Sequence, residues 1–213
     1  MPIVRILIAD PLAVVVDGVR SWLSGEKDLR ISGHARTGND LLGVLRHTPC
    51  ELVLLEVALP GMDGIDTMRA LHSSHPTVRV LAFSALTDIE YVNSMLIEGA
   101  WGYYVKSGTK EELVRAIREV MRGRKYLSPD AQRSVDQGYA YTAKRPDGEY
   151  VGLTLREREI IRMIALERTN SEIGTALNIS EATVKSHRKR LMTKLNVRSI
   201  AGLVKYAVDR RWA

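Results

Sequence analysis

Five short runs rich in Val, Ile and Leu, each followed by a stretch of helical length, confine the first 124 residues to a small set of folds. The runs are Ile3 to Ala9, Leu29 to Ala35, Glu51 to Glu56, Val78 to Phe83 and Trp101 to Val105. Near-continuous apolar character over so few residues is what a parallel strand buried on both faces demands. The helical segments fall near 12–24, 39–47, 63–74, 87–99 and 110–123, the last opened by the capping box Thr109-x-x-Glu112. Such alternation predicts a doubly wound α/β domain with a five-stranded parallel sheet, and places any site at the C-terminal ends of the strands.

Charge divides the chain at about the same place as pattern does. Residues 149–213 hold 13 Lys and Arg against 7 Asp and Glu, whereas residues 1–148 hold 18 of each. The net +6 therefore sits entirely in the last third, as expected of a neutral control domain joined to a nucleic-acid reader. With 213 residues and 45% apolar composition the chain can bury two cores. The single cysteine, Cys50, rules out a disulfide framework or a cysteine zinc site and favours a reducing compartment. The N-terminal apolar run is broken by Arg5 and Asp10 and reads as a strand, and no apolar run reaches membrane-spanning length. The expectation is a cytoplasmic protein without membrane association.

Four residues lie at strand ends: Asp10, Glu56, Ser84 and Lys106. With Ile8-Ala-Asp10, Leu54-Leu-Glu-Val-Ala-Leu-Pro-Gly-Met-Asp-Gly64, Phe83-Ser-Ala85 and Gly102-Tyr-Tyr-Val-Lys106, residues 1–124 resemble a CheY-like response-regulator receiver. The resemblance implies strand order 2-1-3-4-5. It also implies that two acids after the first strand and an Asp ending the third hold Mg²⁺, that the third-strand Asp accepts a phosphoryl group, and that Ser84 and Tyr103 form a switch. Two positions depart from that pattern: Pro11 replaces the second acid and Glu56 replaces the acceptor Asp. Proline offers no carboxylate, and the extra methylene of Glu displaces its oxygens by about 1.5 Å. For an in-line displacement, misplacement of that order costs on the order of 10²-fold in rate. Asp10 and Glu56 against Lys106 leave a local charge of −1, so the demand for a divalent ion falls and no metal or cofactor is expected. Two readings of Glu56 stand side by side. In one it reaches Lys106 and stands in for a phosphoaspartate; in the other it merely satisfies Lys106 in a vestigial pocket. Asp63 reads as a local hydrogen-bonding residue of a turn. For such receivers the resemblance leaves two dimer faces open, the fourth and fifth strands with their helices or the first and fifth helices.

Residues 125–148 read as a linker with a short helix from Ser128-Pro129, fading into Gly138-Tyr-Ala-Tyr-Thr-Ala-Lys-Arg-Pro-Asp-Gly148. Helical pattern resumes after Leu153, with capping boxes at Thr154-x-x-Glu157 and Thr169-x-x-Glu172, and Ser180 opens a third helix. On that helix Val184, Leu191 and Leu195 point within about 20° of one direction, toward a core. Lys185, Ser186, Lys189, Arg190 and Thr193 point away from it. Leu153-Thr-Leu-Arg-Glu-Arg-Glu159, Thr169-Asn-Ser-Glu-Ile173, Thr183-Val-Lys-Ser-His187 and Lys194-Leu-Asn-Val197 are similar to the LuxR-type helix-turn-helix of NarL/FixJ response regulators over residues 149–210. That implies a small all-α, four-helix domain over residues 149–213. It also implies base-edge contacts from Lys185, Ser186 and Lys189, with phosphate contacts expected from Arg190, Lys194, Thr183, Asn170 and Ser171. Arg188 reads equally as a packing or a DNA-contacting residue, and His187 as structural. A fourth helix carries Ile200, Leu203, Val204 and Ala207 as an apolar seam that the family uses for dimerisation. Glu167 stands where the family has Gly and is expected to avoid positive φ; Gly174 stands where it has Ala, at a cost of roughly 1 kcal/mol in helix propensity.

The expected function is that of a DNA-binding transcriptional regulator, not an enzyme, homodimeric on double-stranded DNA, with an atypical receiver active independently of phosphorylation. Two alternatives remain at this point: conventional phosphorylation by a histidine kinase, or control of the receiver by a protein partner or small ligand.

Overall fold

The computed structural model describes residues 3–138, 153–209 and 212. The chain divides into two compact units, 1–139 and 140–213.

The first unit runs β1 (Val4–Ala9), α1 (Ala13–Leu23), β2 (Leu29–Ala35), α2 (Gly38–Leu45), β3 (Leu52–Leu55), α3 (Gly64–Ser74), β4 (Arg79–Ser84), α4 (Ile89–Ile97), β5 (Gly102–Val105), α5 (Lys110–Met121), β6 (Tyr126–Leu127) and α6 (Pro129–Gly138). All strands are parallel, in the order β2-β1-β3-β4-β5-β6. Within the sheet, β3 is flanked by β1 and β4, and its Leu-Val-Leu-Leu is wholly buried. Ile6, Ile8, Leu54, Leu81, Phe83 and Tyr104 form one core with Val16, Val19 and Leu23 of α1 and Leu113, Ile117 and Val120 of α5. The alternate residues Leu7, Val53, Leu55, Val80, Ala82 and Tyr103 are equally buried on the opposite face. Two-sided burial explains why the strands read as continuous apolar runs. Local signals set the helix starts: Thr37 accepts from Asp40 N, Asp63 from Ile65 and Asp66 N, and Thr109 forms its capping box with Glu112.

Two expectations require correction. The sheet has six strands, not five, because Tyr126–Leu127 pairs with Gly102–Tyr103 beyond β5. Residues 126–138, read as the start of a linker, belong to the first unit: α6 packs against α4 and β5, with Ala131 fully buried. Ser128 makes the junction, its amide donating to Tyr103 O and its Oγ accepting from Val105 N at 3.0 Å. Pro129 then suits the first turn of α6, where no amide donor is needed. The rest of the expected linker, 139–148, lies outside the described residues.

The second unit comprises α7 (Leu155–Ala165), α8 (Asn170–Leu177), α9 (Glu181–Lys194) and α10 (Ile200–Asp209). Leu153, Ile160, Ile161, Ile164, Ile173, Val184, Leu191, Leu195, Leu203, Tyr206 and Ala207 form its core. Thr154 and Thr169 head complete capping boxes, Ser180 accepts from Thr183 N, and Asn178 turns the chain between α8 and α9 in the left-handed conformation, φ 53°. Gly174 has a steric reason here: a Cβ at that position would lie 2.8 Å from Ile179 O, so the turn closes too tightly for alanine. Glu167 contradicts its expectation, adopting φ 60°. It ends α7 with Arg168 N donating to Met163 O and Glu167 N to Ile164 O, the bonding of a glycine-type helix stop imposed on a residue with a Cβ.

Candidate functional site

Two regions carry chemistry, one in each unit. In the first, the sheet topology brings Asp10, Glu56, Ser84 and Lys106 together at the C-terminal ends of β1, β3, β4 and β5. Lys106 Nζ donates to Asp10 Oδ2 at 2.5 Å and also to Glu56 Oε2. The other Glu56 oxygen accepts from Ser84 Oγ at 2.5 Å and from Ala58 N at 2.9 Å. Asp10 Oδ1 accepts from Leu12 N at 2.9 Å. Asp10 is fully buried and Glu56 only 6% exposed. The loop 60–64 folds back onto the site, and a Cβ at Gly64 would fall 2.2 Å from Glu56 O, so only glycine lets it approach.

The donor set does not fit the divalent ion that the receiver resemblance implies. Every carboxylate oxygen present already accepts a proton donor from the protein, and Pro11 adds none. Three donors meet the Glu56 carboxylate: a hydroxyl and an amide at Oε1 and an ammonium at Oε2. Lys106 bridges the two carboxylates and leaves an excess of one negative charge.

Tyr103 points inward. It is fully buried, its hydroxyl donates to Leu86 O at 2.7 Å, and Leu86 N donates to Ser84 Oγ at 3.3 Å. Burial pushes the Tyr103 phenol far above its usual range, so it stays a donor at any physiological pH. A continuous set of hydrogen bonds thus runs Lys106, Glu56, Ser84, Leu86, Tyr103. Leu86 and Ala58 enter through their backbones, which no side-chain pattern in the sequence could announce. Asp63, as expected, serves its own turn, capping α3 at 3.0 and 2.9 Å.

In the second unit α9 presents Thr183, Lys185, Ser186, Lys189, Arg190 and Thr193 to solvent, opposite Val184, Leu191 and Leu195. Lys185 pairs with Glu181 at 2.8 Å one turn earlier, with 63% of its side chain still exposed. Thr183 Oγ1 shares a hydrogen bond with its capping residue Ser180 at 2.8 Å. Ser171 is exposed at the start of α8. Two of the expected phosphate contacts are already engaged. Lys194 Nζ pairs with Glu157 Oε2 at 2.6 Å, and Asn170 Oδ1 accepts from Arg188, a hydrogen bond that joins α9 to α8.

Burial bears on two residues of the expected dimer seam, Leu203 and Ala207, whereas Ile200 and Val204 stay partly exposed. Leu203 and Ala207 are fully buried inside their own unit, with Ile200 and Val204 packed against the same core, because α10 lies on α7. The residues of α10 that remain exposed are Ala201, Lys205, Val208 and Asp209. Among the described residues no helix is long and apolar enough to cross a membrane.

Comparison with known proteins agrees with both halves. Residues 6–118 match the response regulator receiver domain, and residues 151–207 match the bacterial regulatory proteins of the luxR family. The chain is 32% identical over 208 residues to the transcriptional regulatory protein MctR of Rhizobium johnstonii, covering 98% of this chain and 94% of that one. It is likewise 32% identical over 213 residues to the oxygen regulatory protein NreC of Staphylococcus epidermidis, with 97% and 98% covered. Among solved structures, RcsB of Salmonella typhimurium aligns with a TM-score of 0.63 at 23% identity, over 98% of this chain and 99% of that one. At that identity the likeness speaks for the fold.

Proposed function

This chain belongs to the response-regulator family, in the class that joins a receiver to a LuxR-family domain, and from that premise we propose that it is a sequence-specific DNA-binding transcription factor whose receiver is held in an active-like arrangement by Glu56, without phosphorylation. One observation carries the reading: the Glu56 carboxylate takes the ammonium of Lys106, the hydroxyl of Ser84 and the amide of Ala58 at once, while Tyr103 is inward. Those are the donors that would meet an anion transferred to an acceptor at this place. A single negative charge stands in for a group of about −1.5 to −2.

For the DNA end, Lys185, Ser186 and Lys189 occupy the first turns of an exposed helix, the part that enters a major groove, and Arg190 and Thr183 flank it toward the phosphates. Asn170 and Lys194, tied to Arg188 and Glu157, act in this reading by stiffening the frame that presents them. Related structures include one described as two RcsB dimers bound to two parallel DNAs, which supports a homodimer on DNA here. Pairing two basic helices doubles the phosphates neutralised and hence the salt slope.

The test uses full-length protein and a duplex selected by the wild type from a random-sequence pool. Glu56→Ala is expected to weaken binding at least tenfold, with Glu56→Gln intermediate. Incubation of the wild type with acetyl phosphate and Mg²⁺ is expected to leave its intact mass unchanged. Equal DNA affinity of Glu56→Ala and wild type defeats the stand-in role, and a phosphoryl adduct that raises DNA affinity restores conventional phosphorelay control.

A further inference from the structure

Beside the receiver pocket, between α1 and the sheet, lies a cavity of about 200 Å³ lined by Val15, Gly18, Val19, Trp22, Phe83 and Lys106. Its wall is apolar apart from one ammonium, and Lys106 Nζ stands 5.2 Å from the centre of the Phe83 ring. The same Lys106 closes the Asp10 and Glu56 pair, so an occupant of the cavity would touch the keystone of the receiver site.

Gly18 makes this space more than a packing defect. It sits in the middle of α1, where glycine weakens a helix, and is solvent-exposed. A Cβ built on it meets no atom within 4 Å, so no neighbour requires glycine there. Gly18 lines the cavity and contributes no side chain to it. Val14, one turn earlier on the same face, is 76% exposed and extends the apolar surface outward.

We propose that this cavity binds a small, uncharged, single-ring molecule bearing one hydrogen-bond acceptor, with the ring against the apolar wall and the acceptor on Lys106. Size sets the first term: an apolar cavity of about 150 Å³ holds a benzene ring, so 200 Å³ admits one ring and a short substituent. Charge sets the second. An ammonium has three N–H donors; two serve Asp10 and Glu56, and the third is left for an acceptor. An anion would face the local excess of one negative charge from Asp10 and Glu56, and a cation would face Lys106 itself, so a neutral acceptor such as a carbonyl suits the site. Because the ligand shares the ammonium with Glu56, its binding is a route by which a metabolite acts on the receiver where phosphate does not. The binding step stands apart from the DNA-binding reading, and its test reads ligand alone.

Acetophenone is the probe, titrated into ¹⁵N-labelled full-length protein, with benzoate as the anionic and toluene as the acceptor-free comparison. Saturable shifts are expected at the Val15 and Gly18 amides and the Trp22 indole N–H, with a dissociation constant on the order of 1 mM for so few atoms. Benzoate and toluene should bind at least tenfold more weakly. Gly18→Leu places a side chain in the mouth of the cavity and should abolish the response while keeping or raising the melting temperature; Gly18→Ala should weaken it severalfold. Absence of a saturable response in the wild type, equal binding of benzoate, or unchanged affinity in both Gly18 variants overturns the proposal.

Discussion

The receiver pocket and the exposed face of α9 use the same residue types to opposite ends. In the pocket one lysine, two carboxylates and a hydroxyl bond to one another, with the carboxylates almost wholly buried and the lysine side chain 15% exposed. On α9 the side chains of Lys189 and Arg190 have no hydrogen-bond or ion-pair partner among the described residues, and that of Lys185 has only a solvated one. A charge that is buried must be paired, because desolvating it alone costs several kcal/mol; a charge left in water is available to a partner at little cost to the fold. The first arrangement holds a shape and the second waits for a ligand of opposite sign. Substitutions should therefore separate into those that unfold and those that only unbind.

The largest effect is expected from Lys106→Ala, which strands two buried carboxylates. Urea unfolding of the first unit should show a loss of about 3–5 kcal/mol, and a loss under 1 kcal/mol would mean that the pocket is not closed by charge at all. Next, Lys185→Ala with Lys189→Ala should cost about 2–4 kcal/mol of DNA affinity by fluorescence anisotropy, with unfolding unchanged within about 0.5 kcal/mol. If that double variant lost stability instead, the division between closed and open charge would fail. The smallest effect sharpens the frame beneath α9: Glu167→Gly relieves a left-handed residue and should stabilise the second unit by about 1 kcal/mol without changing DNA affinity, measured by thermal and urea unfolding.

Most of the receiver elements were legible because buried parallel strands advertise themselves as apolar runs, as in Leu52–Leu55, and because caps such as Thr109 are local. The sixth strand was not: two half-buried residues, Tyr126 and Leu127, carry too little period to read, and only the free edge of β5 makes them a strand. In the site, Asp10, Glu56, Ser84 and Lys106 could be grouped by strand-end position, but Ala58 and Leu86 contribute backbone atoms and so leave no trace in residue type. On α10 the spacing of Ile200, Leu203, Val204 and Ala207 correctly marks an apolar seam, yet spacing cannot say which surface covers it. The structure answers with α7 of the same unit.

The order of residues alone determined the alternating strands and helices, the capped helix pair before α9, and the confinement of net charge to the last third. Each follows from composition or from periodicities that span a single element. Tertiary structure alone decided which cations stay open and which are consumed. Lys194 finds Glu157 across 37 residues and Arg188 finds Asn170 across 18, while Lys106 reaches Glu56 across 50. Pairing over such separations depends on how elements pack, and a charge has no sequence signature for the partner that packing will bring to it.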